Sequence, residues 1–241
     1  MNIVKLPYSV YIDMIKANKP FSFSRFGDGE ILCCFHSDWL HKNCDGSKFS
    51  DELIEPMKDI FRNRYDYFHC LLACSFDPSL KKETDQFYAF INEVCPKLPF
   101  FDGDIWQDMS FSGNIEILTN VLSPYNPCFI GGKHLTDNIA LLKGLGIVNT
   151  ITIPSVDSFS KFDEILNQIM DCYDQGLRMF CFSAGFTTKP LIDYLFHIIG
   201  HDSFLIDFGS VFDPYCGKLS RSGMVAAGFG KFQPYTNLKL K

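Results

Sequence analysis

Two hydrophobic periods alternate along this chain. Short runs rich in aromatic and β-branched residues read as strands: Phe21–Ser24, Tyr67–Phe76, Pro127–Ile130, Ile147–Ile153, Leu177–Phe182 and Ser203–Asp207. Between them, apolar residues recur at helical spacing. Val10, Ile12, Met14 and Ile15 mark a helix over 7–17, and Ile31, Leu32 and Phe35 mark one from Glu30 to Phe35. Ile54, Met57 and Ile60 follow a Ser50 cap, and Phe87, Phe90 and Ile91 share a face over 83–94. Further helices are predicted over 112–122, from about Thr136, over 162–173 with Ile165, Ile169 and Cys172, and over 187–199. Pro99–Trp106 reads as a strand entering a loop that carries Asp102, Asp104 and Trp106. Beyond about residue 210 no period is visible.

Strands alternating with helices of this length predict an α/β, Rossmann-like fold, a mostly parallel sheet with helices on both faces. Right-handed crossovers put every strand C-terminus on one edge of such a sheet. Five turns rich in Gly, Ser, Thr, Asp and Lys are expected to converge there: Asp28 with Glu30, Gly131–His134, Ser155–Asp157, Ser183–Thr188 and Asp207–Ser210. The 241 residues are read as one domain, 1–241.

The densest chemistry lies in Ser24-Arg-Phe-Gly-Asp-Gly-Glu30. Gly27 and Gly29 break the strand and open backbone angles closed to other residues. Two carboxylates one glycine apart, with Arg25 just before them, are suited to a divalent cation that in turn holds a diphosphate. The competing reading is a plain turn, since Gly-Asp-Gly is turn chemistry and Glu30 suits a first helical turn.

Composition narrows the classes. A net charge of −6 leaves no basic footprint, which argues against nucleic acid as the main partner. The ten cysteines form no C-x-x-C pair, and no apolar run reaches the ~18 residues of a membrane span. Met1-Asn-Ile-Val-Lys has no apolar secretory core, so a reduced, cytoplasmic protein is expected. His36, Asp38 and His41 lack metal-ligand spacing and read as a solvated loop. His197 and His201 are given no metal role, because Gly200 ends the helix between them.

Ser24-Arg-Phe-Gly-Asp-Gly-Glu30 resembles the opening motif of the GT-D-fold glycosyltransferases, a bacterial family formerly known as a domain of unknown function. Phe182-Ser-Ala-Gly-Phe-Thr-Thr-Lys-Pro-Leu191 and Leu205-Ile-Asp-Phe-Gly209 resemble its late strand, glycine turn, helix and D-x-G-H ending, and the likeness spans roughly residues 20–217. The resemblance implies a GT-D-type domain that moves a sugar from a nucleoside-diphosphate sugar, most simply a UDP-sugar, to a glycan or glycosylated-protein acceptor. It implies Mn2+ or Mg2+ and the nucleotide sugar at the turn of Asp28 and Glu30, with Gly27 and Gly29. The chemistry of the edge adds Arg25 and Lys133 as candidates for phosphate contact, and Ser183, Gly185 and Thr187 at a helix start whose free N–H groups suit an anion. Asp28, Glu30 and Asp207 are the catalytic candidates. If the reaction inverts, an acid must activate the acceptor hydroxyl, and Asp157, Asp207 and Asp213 all stay open for that role. The D-x-G-H ending reads Asp207-Phe-Gly-Ser210 here, so an imidazole is missing, and donor, acceptor and activity itself are left open. The alternatives are another Rossmann-like nucleotide-binding enzyme, against which no G-x-G-x-x-G follows a strand, and a binding module without chemistry. Whichever function holds, alkylation of denatured, unreduced protein should find every cysteine free by mass spectrometry; a native disulfide would overturn the compartment assignment.

Overall fold

The structure, a computed structural model, describes residues 2–35, 51–147, 149–228 and 232. The predicted loop with His36, Asp38 and His41, and the Ser50 cap, lie outside the described residues. In chain order the elements are β1 (Ile3–Val4), α1 (Tyr8–Lys16), β2 (Ser22–Phe26), α2 (Asp28–Phe35), α3 (Asp51–Asn63), β3 (Phe68–Leu71), α4 (Lys81–Val94) and β4 (Phe100–Asp102). There follow α5 (Ile105–Phe111), α6 (Ile115–Leu122), β5 (Cys128–Gly132), α7 (Lys133–Thr136), α8 (Ile139–Gly144), β6 (Asn149–Ile153), α9 (Phe162–Asp174), β7 (Met179–Ser183), α10 (Thr188–Ile199), β8 (Phe204–Asp207) and α11 (Ser222–Ala227).

The eight strands form one sheet in the order β1-β4-β3-β2-β8-β7-β5-β6, and every pairing is parallel. Successive side chains leave a strand on opposite faces. In β7, Met179 and Cys181 accordingly enter one apolar layer, and Phe180 and Phe182 the other. Residues of α2, α3, α4, α9 and α10 complete the second layer, and residues of α1, α5, α6, α7 and α8 the first. A sheet covered on both faces needs strands that are apolar throughout, which is why β5, β7 and β8 read as near-continuous hydrophobic runs.

Three expectations change. The run Tyr67–Phe76 is strand only over Phe68–Leu71. The Leu72 N–H still bonds to the Phe26 carbonyl at 2.9 Å, but the chain then coils into a 3-10 turn, Ala73–Phe76, whose first N–H goes to Asp104 Oδ2 at 2.6 Å. Trp106 is not in a loop: it lies in the first turn of α5 and is fully buried against Tyr11, Phe23 and Phe208. Helix α2 begins at Asp28, so both acidic residues of the motif lie in its first turn. All nine described cysteines are free, and no helix among the described residues is long and apolar enough to cross a membrane.

One buried carboxyl ties the helical layer to the sheet. Asp193 of α10 accepts hydrogen bonds from Asn63 Nδ2 of α3 at 2.6 Å and from Tyr67 Oη at 3.2 Å. Burial pushes its pKa up to about 6, against the smaller opposing pull of the Asn63 and Tyr67 hydrogen bonds. The folded state therefore holds this proton more tightly than the unfolded chain does. The resulting stability is fully present below the unfolded pKa of 3.8 and is lost as pH rises through about 6. Denaturant unfolding at pH 4 to 7 should show Asp193→Asn gaining on the wild type as pH rises, with most of the change below pH 6. A difference independent of pH would contradict this account.

Candidate active site

The C-terminal edge of the sheet opens into a cavity of 1250 Å³. All five turns expected at this edge contribute to it: Asp28 and Glu30, Gly132 and His134, Ser155, Ser183 and Gly185, and Asp207 with Gly209 and Ser210. The ends of β3 and β4 add Leu71–Cys74 and Asp102, and the segment 218–222 closes the rim.

The floor is an ionic cluster. Lys189, in the first turn of α10, has a side chain only 7% exposed. Its ammonium lies 2.9 Å from Glu30 Oε1, 3.3 Å from Asp207 Oδ2 and 3.2 Å from the Gly185 carbonyl. Those three acceptors match its three N–H donors. Burial works against the charge of Lys189, but Asp207 and Glu30 outweigh it and hold its pKa above the ordinary lysine value. Burial likewise pushes the Glu30 carboxyl up, and Lys189 with the Gly27 N–H more than reverses this, so Glu30 stays below the usual carboxylate range.

Local sequence builds that floor. Glu30 Oε2 accepts the Gly27 N–H at 2.7 Å, the back-bond of a helix capping box. A Cβ on Gly27 would come within 3.0 Å of Leu72 Cδ1 and 3.3 Å of Glu30 Oε2, so a side chain there would crowd both neighbours. Asp207 ends β8, and its two oxygens take the Arg25 N–H at 3.2 Å and the Gly209 N–H at 2.9 Å besides Lys189. Gly209 has φ +53, and a Cβ there would meet Arg25 Nη1 at 3.1 Å. Arg25 is buried, with Nη1 on the Phe208 carbonyl at 2.7 Å, while its Nε has no partner.

The residues singled out from sequence thus separate. Arg25, Gly27, Asp28, Gly29, Glu30, Ser183, Gly185 and Asp207 all line the cavity. Lys133 does not: its side chain is 81% exposed and pairs with Asp137 at 3.8 Å. Thr187 is buried behind the wall, its hydroxyl 2.7 Å from Ser158 Oγ. Of the three acids left open for acceptor activation, Asp157 is off the cavity, Asp207 has both oxygens engaged, and Asp213 lines the wall 3.0 Å from His134 Nε2. Ser210, where the resembled motif carries histidine, accepts from Arg221 Nε at 3.2 Å. Sequence reasoning missed Lys189, whose one signal was a charge set among the apolar positions of 187–199 just after the glycine turn. It also missed Asp108, which burial and then Asp104 and Asp102 push above the ordinary carboxylate range.

The acidic pair of the motif divides its tasks. Asp28 is exposed, with Oδ1 on the Gly29 N–H at 2.9 Å, whereas Glu30 turns inward to Lys189. Among the described residues no three His, Cys, Asp or Glu side chains form a metal cage. The donor set fits a hard divalent cation of the kind held by one protein carboxylate plus substrate phosphates, with Asp28 as that carboxylate.

No protein-family model and no curated protein matches the chain. Solved structures do. One, of the highly conserved domain of unknown function 1792 and described as a distinct glycosyltransferase fold, superposes with a TM-score of 0.64 at 18% identity, covering 88% of this chain and 80% of that one. Another, a glycosyltransferase of the same domain type from Streptococcus sanguinis, gives 0.65 at 17%, covering 89% and 84%. The fold expected from the motif resemblance is therefore the fold observed: an all-parallel α/β sheet similar to that glycosyltransferase fold.

The floor cluster makes a stability prediction. Lys189→Met strands two buried carboxylates and should cost about 3–5 kcal/mol. Adding Glu30→Gln removes one of the two stranded charges. The double variant should then be more stable than the sum of the single losses predicts, by roughly 1 kcal/mol or more in denaturant unfolding. Additive losses would mean that the pair is not coupled.

Proposed function

We propose that the chain is a metal-dependent glycosyltransferase, moving a sugar from a nucleoside-diphosphate sugar, a UDP-sugar first, to a hydroxyl of a glycan or glycosylated protein. One observation carries this reading. On a glycosyltransferase-like fold, the turn Gly27–Glu30 stands at the C-terminal edge of the sheet, in a cavity large enough for a nucleotide sugar, with one carboxylate exposed and one locked.

Each residue has a distinct task. Asp28 holds Mn2+ or Mg2+ together with the donor's phosphates. The ion, when bound, takes up the negative charge that develops on the departing diphosphate. Glu30 keeps the turn in place through Gly27 and Lys189 and holds Asp28 toward the cavity. Arg25 adds a fixed positive charge beneath the phosphates, and being already buried it needs no reorganisation as charge develops. Ser183 and Gly185, at the end of β7, present a hydroxyl and backbone to the donor; Ser183 Oγ is buried without a partner.

Thermal shift tests the reading directly. UDP or GDP should raise Tm only with manganese, and Asp28→Asn should lose that manganese dependence. S-adenosylmethionine or NAD acting instead would point to another Rossmann-like enzyme. In steady-state assays of donor turnover, Asp28→Ala should slow the rate on the order of 100-fold if the ion supplies several kcal/mol. Full activity with an unchanged metal requirement would remove Asp28 from the site.

A further inference from the structure

We propose that His134 is the general base that activates the acceptor hydroxyl, with Asp213 as its positioning residue; this rests on the glycosyltransferase reading above. The two come from different parts of the chain. His134 lies in α7, the single helical turn that follows β5, and Asp213 opens the 3-10 turn Asp213–Cys216 beyond β8. They meet on the cavity wall, with His134 Nε2 3.0 Å from Asp213 Oδ1. Asp213 is itself held, its N–H on the Ser210 carbonyl at 3.1 Å and its carbonyl accepting from the Lys218 N–H at 3.0 Å.

The chemistry follows from that pairing. An ionised carboxylate only accepts, so the proton of the neutral imidazole is on Nε2 and the lone pair is on Nδ1. The Asp213 side chain is 8% exposed and that of His134 31% exposed, so the acid is buried behind a ring that reaches the cavity. Gly132 makes room for the ring: a Cβ there would come within 3.1 Å of Nδ1 and 3.3 Å of Cε1. The other acids weighed for this role are spent or misplaced, Asp207 on Lys189, Arg25 and Gly209, and Asp157 off the cavity. Only β7 separates β5 from β8, so the strand ends that carry the base and the floor are about 10 Å apart.

In the step, His134 Nδ1 takes the acceptor's O–H proton, and the acceptor oxygen forms its bond to the anomeric carbon. The bond from that carbon to the diphosphate oxygen breaks, and its electron pair leaves with the nucleoside diphosphate. The imidazolium, stabilised by Asp213, later returns the proton to solvent. Attack from the face opposite the diphosphate inverts the anomeric centre.

The experiment uses the full chain with Mn2+, UDP-glucose or GDP-mannose as donor and water as acceptor, following nucleoside-diphosphate release. His134→Gln should lower kcat on the order of 100-fold, while KM for the donor changes less than about threefold. His134→Ala should recover part of its rate with added imidazole. Asp213→Asn should lower kcat about 10-fold with KM unmoved, and circular dichroism should show both variants folded. The first glucose formed from UDP-glucose should be the β anomer. Wild-type kcat in His134→Gln, a loss confined to KM, or the α anomer would overturn the proposal alone. No release by the wild type from either donor would overturn it together with the glycosyltransferase reading.

Discussion

A single ammonium holds the working end of this protein together. Lys189 reaches from α10 to Glu30 at the start of α2, to Asp207 at the end of β8 and to the carbonyl of Gly185 after β7. A charge removed from water is tolerated only where partners replace the lost hydration. Lys189 and the carboxylates of Glu30 and Asp207 meet that condition for one another. The floor therefore cannot relax at one residue without exposing an unpaired charge at another. That interdependence fixes the backbone of the Gly27–Glu30 turn and the direction of Asp28.

The same constraint explains why a motif with two carboxylates does not present two equivalent ligands. Glu30 faces a lysine and caps its own helix, while Asp28, two residues earlier and on the outer side of the turn, meets solvent. The cation proposed here asks for only one protein carboxylate, which the exposed outer acid can supply while the inner one stays engaged. The far wall is built differently. His134 and Asp213 form a hydrogen-bonded pair on the cavity wall. That pair and the floor cluster stand on strand ends that the parallel sheet brings to one edge.

Much of this was legible in the chain before any coordinates. The alternation of apolar strand runs with amphipathic helices specified a two-layered parallel sheet, because only residues apolar on both sides survive between two helical layers. The glycine-containing turns marked the strand ends, and topology alone placed five of them together. Boundaries were less legible. Tyr67–Phe76 is uniformly apolar, and nothing in its period reveals that Asp104, 31 residues on from Ala73, captures the Ala73 backbone and coils it. Trp106 read as loop because its helix, α5, is only seven residues long, too short for a helical period to register.

What the sequence determined by itself was the class of fold, the edge at which chemistry gathers, and the motif from Arg25 to Glu30 as its centre. Those features depend on local periodicity and turn chemistry, which neighbouring residues carry among themselves. What only the tertiary structure decided was which side chains are spent and which are free. Lys133 and Lys189 are both lysines beside strand-end turns, yet one is solvated and the other buried between two carboxylates. Asp207 and Asp213 are both acids at or just beyond the end of β8, yet one is locked in the floor and the other pairs with a histidine 79 residues away. The difference lies in partners distant along the chain, and electrostatic pairing and desolvation act through space, which one-dimensional spacing does not record.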